Sequence, residues 1–536
     1  MNENPSSSRR MDSTCTANAT SASASAAPSR ILDLENLSRR CAALQSKGKK
    51  IVLCHGVFDL LHVGHIRHLR AAKAFGDILV VTITDDPYVN KGPDRPAFPS
   101  ELRAEFLASL EFVDYVGVVD DGSALPAIRS VKPAFYVKGD EYADAESDIT
   151  GKIQIEQDLV ISLGGELVFT HDIKFSSSNL LNKHFAARDV AAKAYLEARR
   201  DSGLEKRITG YLEQIAKLKI VIIGETIIDR YIYVAPMGKA AKENIIATLY
   251  REEEKFAGGA VAAANHLCAL CPNVELVTML GDGLSTDNFE SFVRERLNSS
   301  VKMTVIHRPD GPTVQKTRFV EPTYVRKLFE VYHMDDHPLP RDAQDGFHLR
   351  LLAKLKDADL VIVNDFGHGF ISPETVEVLQ SQSKFLAVNA QSNAGNVGYN
   401  LINKYKKTNF ICIDAMEAQL AVHDKHANPS DVVAKQLPAI IDCPNIVVTH
   451  GRAGCFASGK DGNVVHIPAF NSTVVDTVGA GDAFFVIAAP MLAVGADCET
   501  AGFMGNVAGA ISVGIVGHRR YLNKLEIRRY VTTLLK

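Results

Sequence analysis

A chain of 536 residues, 46% hydrophobic and 23% charged, has the balance of a globular protein and length for more than one domain at roughly 100–200 residues each. A net charge of −4 excludes broad electrostatic attraction to nucleic acid and leaves room only for a local basic pocket. Nine scattered cysteines, an odd number, exclude a disulfide framework and imply a reducing compartment.

Residues 1–30 are rich in Ser, Ala and Thr and lack the apolar centre of a secretory signal. They predict a disordered tail, with an organelle transit peptide as the alternative, and the expected location is cytoplasmic. From Ile51 the pattern is βαβ. A strand opens at Ile51, and Gly56 marks a turn. Helix is predicted over residues 64–75, strand over 78–83, helix over 101–110, strand over 115–119, helix over 124–131, and strands over 134–137 and 166–169. Near-continuous apolar strands alternating with helices predict a parallel sheet covered on both faces. This first domain spans 31–185.

Residues 186–217 read as charged helix, a linker or a docking helix. A second α/β domain over 218–536 begins with the strand at Ile220. Further strands are expected over 275–279, 360–363, 385–388 and 446–448. The overall fold class is therefore α/β, two doubly wound parallel-sheet domains. The lone pair Cys268 and Cys271 reads as a buried helix end rather than a metal site. The apolar run over 484–496 is too short to span a membrane and contains Pro490. No membrane or nucleic-acid partner is expected.

The first chemical signal is Gly56-Val57-Phe58-Asp59-Leu60-Leu61-His62-Val63-Gly64-His65, where the first strand hands over to the first helix. Parallel sheets bind ligands at the carboxyl ends of strands, and a helix N-terminus offers free N–H groups to phosphate. Two histidines three apart on the first turn can face the same phosphates. The segment resembles the signature of the cytidylyltransferase-like nucleotidyltransferases, and so do later stretches in order. These are Asn90-Lys91 through Arg95, Glu101-Leu102-Arg103, Val137-Lys138-Gly139 and Phe175-Ser176-Ser177-Ser178-Asn179. The adenylyltransferase half of the bifunctional heptose enzymes is the nearest subfamily, and it implies a Rossmann-like fold. The resemblance further implies a sugar 1-phosphate attacking the α-phosphorus of ATP, or of CTP, with His62, His65 and Lys91 in catalysis. Gly56, Phe58, Asp59, Gly64, Arg95, Arg103, Lys138, Ser176, Ser177 and Ser178 would bind nucleotide or phosphate. Mg²⁺ is the implied ion.

The second signal is Asp476-Thr477-Val478-Gly479-Ala480-Gly481-Asp482-Ala483-Phe484. Small residues opening a helix make an anion hole, and an Asp just inside it can take the proton of an attacking hydroxyl. The segment resembles the signature of the ribokinase-like PfkB carbohydrate kinases. The resemblance implies Asp482 as catalytic base, and Thr449, Gly451, Gly454, Thr477, Gly479, Ala480 and Gly481 around the nucleotide. It implies Asp229, Gly258, Gly259 and Asn265 around the sugar, with Gly224 to Tyr231 as a first strand and turn. Asp414 and Glu417 stand where the family carries Asn-x-x-Glu near Mg²⁺, and Asn389-Ala390-Gln391 replaces an Asp-Pro-Lys-like turn. Kinases of this family imply a homodimer. The transferase-first order reverses that of the heptose enzymes.

A kinase that makes a sugar 1-phosphate and a transferase that consumes one form a natural pair, giving an ADP-heptose-like nucleotide sugar. The alternatives are a cytidylyltransferase for a non-sugar phosphate beside an uncoupled kinase, or beside a catalytically silent PfkB-like module.

Overall fold

The computed structural model describes residues 30–89, 95–139, 152–170, 190–200, 202–282, 289–471 and 474–536. Most of the N-terminal tail, Lys91 and the run Ser176, Ser177 and Ser178 lie outside the described residues.

In the first unit, strands β1 (Ile31–Leu32), β2 (Ile51–Gly56), β3 (Ile78–Thr84), β4 (Tyr115–Val119), β5 (Phe135–Gly139) and β6 (Glu166–Thr170) make one parallel sheet in the order β1-β4-β3-β2-β5-β6. The unbroken apolar runs serve both faces. Along β2, Ile51 and Leu53 join one core cluster while Val52 and Cys54 join the other. Successive strand side chains point to opposite faces, so a strand covered on both sides has no polar alternation. Helices α1 (Leu34–Gln45), α2 (Val63–Lys73), α3 (Ser100–Ala108), α4 (Leu125–Val131) and α5 (Lys152–Ser162) connect the strands.

Helices α6 (Val190–Arg200) and α7 (Leu204–Ile215) come next. Their apolar face, Leu196, Leu204, Ile208, Leu212 and Ile215, is buried in the larger core cluster of the second unit. The segment docks there, and Glu499 receives both the Tyr195 hydroxyl at 2.9 Å and Arg199.

The second unit is built on β7 (Ile220–Lys239), 20 residues long. Its first part lies inside a mainly parallel sheet with β8 (Ile246–Gly259) outside it and β9 (Val274–Gly281), β10 (Lys302–Arg308), β13 (Leu360–Asp365), β14 (Leu386–Ala390), β15 (Phe410–Asp414) and β16 (Ile446–Thr449) beside it. The antiparallel hairpin β17 (Cys455–Ser458) and β18 (Val464–Ile467) closes one edge. The rest of β7 forms a lid, paired with β8 on one side and with β11 (Val314–Glu321) on the other, while β12 (Arg326–His333) pairs β11. The expected turn between Gly224 and Tyr231 is absent: β7 runs straight through. Ile227, Ile228, Tyr231, Ile232, Tyr233 and Val234 favour strand, and from Ile227 to Tyr233 both edges are paired.

Helices α8 (Ala260–Leu267), α9 (Phe289–Arg296), α10 (Arg341–Leu355), α11 (Pro373–Gln382), α12 (Ala415–Ala421), α13 (Ala480–Ala493), α14 (Cys498–Ser512) and α15 (Lys524–Leu535) cover the main sheet. Ile220 and Ile222 face one cluster, Val221 and Ile223 the other. Cys268 caps α8 and the Cys271 thiol donates to the Leu218 carbonyl at 3.2 Å, a helix end held inside the protein. Among the described residues no helix is long and apolar enough to cross a membrane.

Candidate active sites

The first site forms where β2 meets α2. His62 is the N-cap of α2, and its Nδ1 accepts from the Gly64 N–H at 3.1 Å. That acceptor role places the proton of the neutral ring on Nε2. One turn on, the His65 ring stacks on His62 with centroids 3.9 Å apart and planes at 21°. Phe58 packs edge-on against His65 and has φ +47, which is unusual for a bulky side chain. A Cβ at Gly56 would sit 3.2 Å from the Phe58 ring, so this ring sets how closely the loop folds over the strand end.

Two basic residues expected to hold phosphate are engaged by the protein's own groups. Arg103 is 2% exposed, and every guanidinium nitrogen donates to the protein: Nε to Phe98 O, Nη1 to Val57 O and Thr84 O, Nη2 to Asp86. It ties the loop after β2 to the end of β3. Arg95 forms a buried pair with Asp59 at 2.9 Å, and Asp59 also accepts from the Ala97 N–H. Buried charges persist only when paired, so Asp59 and Arg95 neutralise each other. Lys138, at the carboxyl end of β5, lies 3.3 Å from Glu156. His68 lies outside the motif, with its Nδ1 2.6 Å from Thr170 Oγ1. Burial, helped by Lys138, pushes His68 down to about 4. His55, between Thr82 at 3.0 Å and Thr84 at 3.3 Å, lies outside it as well. A His next to the motif was the available signal for both.

The second site is a cavity of about 490 Å³ at the start of α13. It brings together Thr449, Gly451, Gly454, Asp414 and Glu417 with Thr477, Gly479, Ala480, Gly481 and Asp482. Its size suits a nucleotide-class ligand. Gly479 begins α13 at φ +76 with no side-chain cap, and a Cβ there would lie 2.4 Å from the His518 ring. The N–H groups of Gly481 and Asp482 therefore meet no protein acceptor among the described residues. Unpaired N–H groups and the helix dipole together favour an anion.

Asp482 is 8% exposed, and burial raises its carboxyl to about 6 against the opposing bond from Gln391. Asp229, on β7, gives one oxygen to Arg318 of β11 and the other lies 3.6 Å from His518 Nε2. A Cβ at Gly258 would strike Asp229 Oδ2 at 2.1 Å, and at Gly259, φ +60, it would strike the Glu225 carbonyl at 2.5 Å. Both glycines let β8 pass against β7. The Asn265 amide donates to Arg296 O at 3.0 Å and accepts from Asn298 N at 2.7 Å, so its side chain fixes a loop.

Asp414 and Glu417 form a capping box at α12, with Glu417 Oε2 accepting from Asp414 N at 2.8 Å and Oε1 from Ser392 N at 2.8 Å. Burial pushes Glu417 up to about 7. Asp414 is exposed on the wall of the cavity, where its carboxylate could hold Mg²⁺ through water. Elsewhere Asp335, Asp336 and His337 have ligand-compatible spacing, but Arg308 takes Asp335 at 3.1 Å.

No motif signalled Lys316, whose charge acts on Asp482. Lys316 of β11 is 8% exposed, and burial lowers its ammonium while Asp229, Glu330 and Asp482 pull the other way. His368 is wholly buried with neither ring nitrogen bonded among the described residues, and burial together with Lys316 pushes it down to about 3. Gln391 donates to Asp482.

Comparison with known proteins follows this division. The profile "Cytidylyltransferase-like" matches residues 53–179 and "pfkB family carbohydrate kinase" matches residues 217–523. In its N-terminal part the chain is 40% identical over 158 residues to "Bifunctional protein HldE" of Geobacter metallireducens, covering 29% of this chain and 31% of that protein. The protein of the same name from Nitratiruptor sp. is 41% identical over 130 residues, covering 23% and 28%. The chain thus spans less than a third of the length of these curated relatives. Among solved structures, the ribokinase of Thermotoga maritima aligns at 20% identity over 59% of this chain and 99% of its own, TM-score 0.46. Phosphofructokinase-2 of Escherichia coli aligns at 14% over 60% and 100%, TM-score 0.48. With more than half its length matched by that one profile, and a cytidylyltransferase-like domain ahead of it, the chain belongs to the pfkB family of carbohydrate kinases.

Proposed function

We propose that this protein activates a sugar in two steps, phosphorylating it with ATP and then transferring a nucleotidyl group onto the resulting sugar 1-phosphate. The observation that carries the reading is Asp482, held at the uncapped N-terminus of α13 on the wall of the cavity.

In the first step a sugar hydroxyl attacks the γ-phosphorus of ATP. The new O–P bond forms, the bond to the β-phosphate oxygen breaks, ADP leaves, and the hydroxyl proton passes to Asp482. A carboxyl near 6 is ionised at neutral pH yet still basic enough to accept that proton. The N–H groups of Gly481 and Asp482 would meet the transferring phosphoryl oxygens. Mg²⁺, held by Asp414 through water, would neutralise phosphate charge. Lys316 sets a buried cation within electrostatic reach of Asp482, which favours a sugar already carrying an anionic group.

In the second step the 1-phosphate oxygen attacks the α-phosphorus of an NTP and pyrophosphate leaves. The Nε2–H of His62, with His65 stacked on it, would donate to the phosphate oxygens as charge grows there. ATP is the expected nucleotide, with CTP the competing one.

The test is a matrix of ATP or CTP against a panel of sugars, sugar 7-phosphates included, reading ADP and pyrophosphate by mass spectrometry. ADP followed by pyrophosphate from one sugar is the expected result. Pyrophosphate released with glycerol 3-phosphate and with no sugar phosphate would sink the sugar reading. The engagement of Asp229 by Arg318 favours a second reading, in which the kinase half is a silent module. Unchanged activity of Asp482→Asn would support it.

A further inference from the structure

The turn after β14 departs from the family pattern, and the structure gives that departure a purpose. The Gln391 N–H donates to Asp365 O at 2.8 Å, and its carbonyl accepts from Asn400 Nδ2 at 3.0 Å. Asn400 is 5% exposed and also donates to both the backbone and the side chain of Asp365, while Lys404 holds its amide oxygen at 2.7 Å. The backbone of Gln391 is thus clamped on both sides. Its side chain is equally constrained. Nε2 has two hydrogens and two acceptors, Asn389 Oδ1 at 2.8 Å and Asp482 Oδ1 at 2.6 Å, and Asn389 is itself anchored through Nδ2 to Cys412 O at 2.6 Å. Asn364 Nδ2 adds a longer bond, 3.3 Å, to the same Asp482 oxygen. Both donors converge on Oδ1, and Oδ2 accepts no hydrogen bond among the described residues.

We infer that Gln391 is a positioning residue that clamps Asp482 through Oδ1 and so presents Oδ2 to the attacking hydroxyl. The inference rests on the kinase reading of Asp482. A carboxylate free to rotate would offer the wrong oxygen for part of the time, and a bond 2.6 Å long to an ionised acceptor is of the strong kind. The clamp works against its surroundings. Asp229 from β7 and Glu417 from α12 oppose ionisation of Asp482, whereas Lys316 from β11 favours it.

The test compares Gln391→Leu, Gln391→Glu and Gln391→Lys in the full chain, with unchanged melting temperature as the control for folding. Leu removes the donor at similar size, Glu replaces it with an acceptor, and Lys restores a donor. With a sugar phosphate that the unsubstituted protein phosphorylates, kcat should fall about 10- to 100-fold for Leu and further for Glu. KM for ATP should hold, Lys should recover most of kcat, and the acid limb of the kcat profile should move to higher pH in Leu. Equal losses in Leu and Lys, or a raised KM with kcat intact, would overturn the inference. If the unsubstituted protein phosphorylates no sugar, the kinase reading falls by itself. The clamp is then decided by the carbon-13 carboxyl signal of Asp482, identified by its loss in Asp482→Asn. A titration midpoint moved to higher pH in Gln391→Leu upholds it, and an unmoved midpoint overturns it.

Discussion

Both sites sit on the first turn of a helix, α2 after the parallel strand β2 and α13 after the antiparallel strand β18, and the two helices start in opposite ways. At α2 the functional side chain is also the cap, since His62 Nδ1 consumes the Gly64 N–H and so fixes which nitrogen carries the proton. At α13 no side chain caps among the described residues: Gly479 turns in the left-handed region, and the N–H groups of Gly481 and Asp482 meet no protein acceptor there. One helix start spends a donor to orient an imidazole. The other keeps its donors for the ligand and orients its carboxylate from outside, through Gln391. The same element of secondary structure can deliver either a side chain or its own backbone to a phosphate, and the residue at the cap decides which.

The largest expected effect separates the two halves. Asp482→Asn should lower sugar phosphorylation about 1000-fold while pyrophosphate release from a supplied sugar 1-phosphate stays unchanged. The same group sets the pH response. Its carboxyl is raised to about 6, so the base is lost as pH falls through that value, and kinase kcat/KM should drop roughly tenfold per pH unit below it. Next comes Arg103→Ala. If Arg103 is scaffold, denaturant unfolding should show a loss of about 3 kcal/mol, confined to the first unit. A raised KM for nucleotide with stability intact would return it to the phosphate site.

A finer cut divides the two duties of His62. Both His62→Ala and His62→Asn should slow nucleotidyl transfer about 100-fold by losing the Nε2 donor. Only Ala should also lose the cap, at about 1 kcal/mol of stability, because an Asn side chain can still accept from Gly64 N–H. The smallest effect belongs to Gly479→Ala, whose cost of about 1–2 kcal/mol combines a left-handed backbone with contact against the His518 ring. Thermal unfolding would read it, and an unchanged melting temperature would mean that the start of α13 yields without strain.

The parallel sheets were legible because an apolar run such as Ile220 to Ile223 has only one economical use, a strand buried on both faces. The lid was not. Strand β8 reads Arg251-Glu252-Glu253-Glu254-Lys255 in its middle, a stretch largely exposed and without the alternation that marks a half-buried strand. Its pairing comes from β7, not from its own pattern. The glycine and histidine motifs located both sites, since helix starts are local. What spacing could not say is where a long side chain ends up. Arg103 folds back onto Val57, and Lys316 on β11 comes within electrostatic reach of His368 in the loop after β13. Gln391 reaches Asp482 across 91 positions, a contact made by topology alone.

The single strand shared by the main sheet and the lid has a thermodynamic consequence. Along β7 the pairing passes from β13 and β9, which end at Gly224 and Glu225, directly to β8 at Thr226, and the register shifts only further out, between Tyr233 and Val234 and between Pro236 and Gly238. The base of the lid is thus continuous with the sheet beneath it, and the irregularities in β7 lie toward the tip. Amide hydrogen exchange should therefore find the base of the lid, around Thr226 to Ile228, as protected as the sheet interior, with protection fading only toward the tip at Lys239. The lid behaves as an outgrowth of one cooperative folding unit, and its stability is borrowed from the core that carries it.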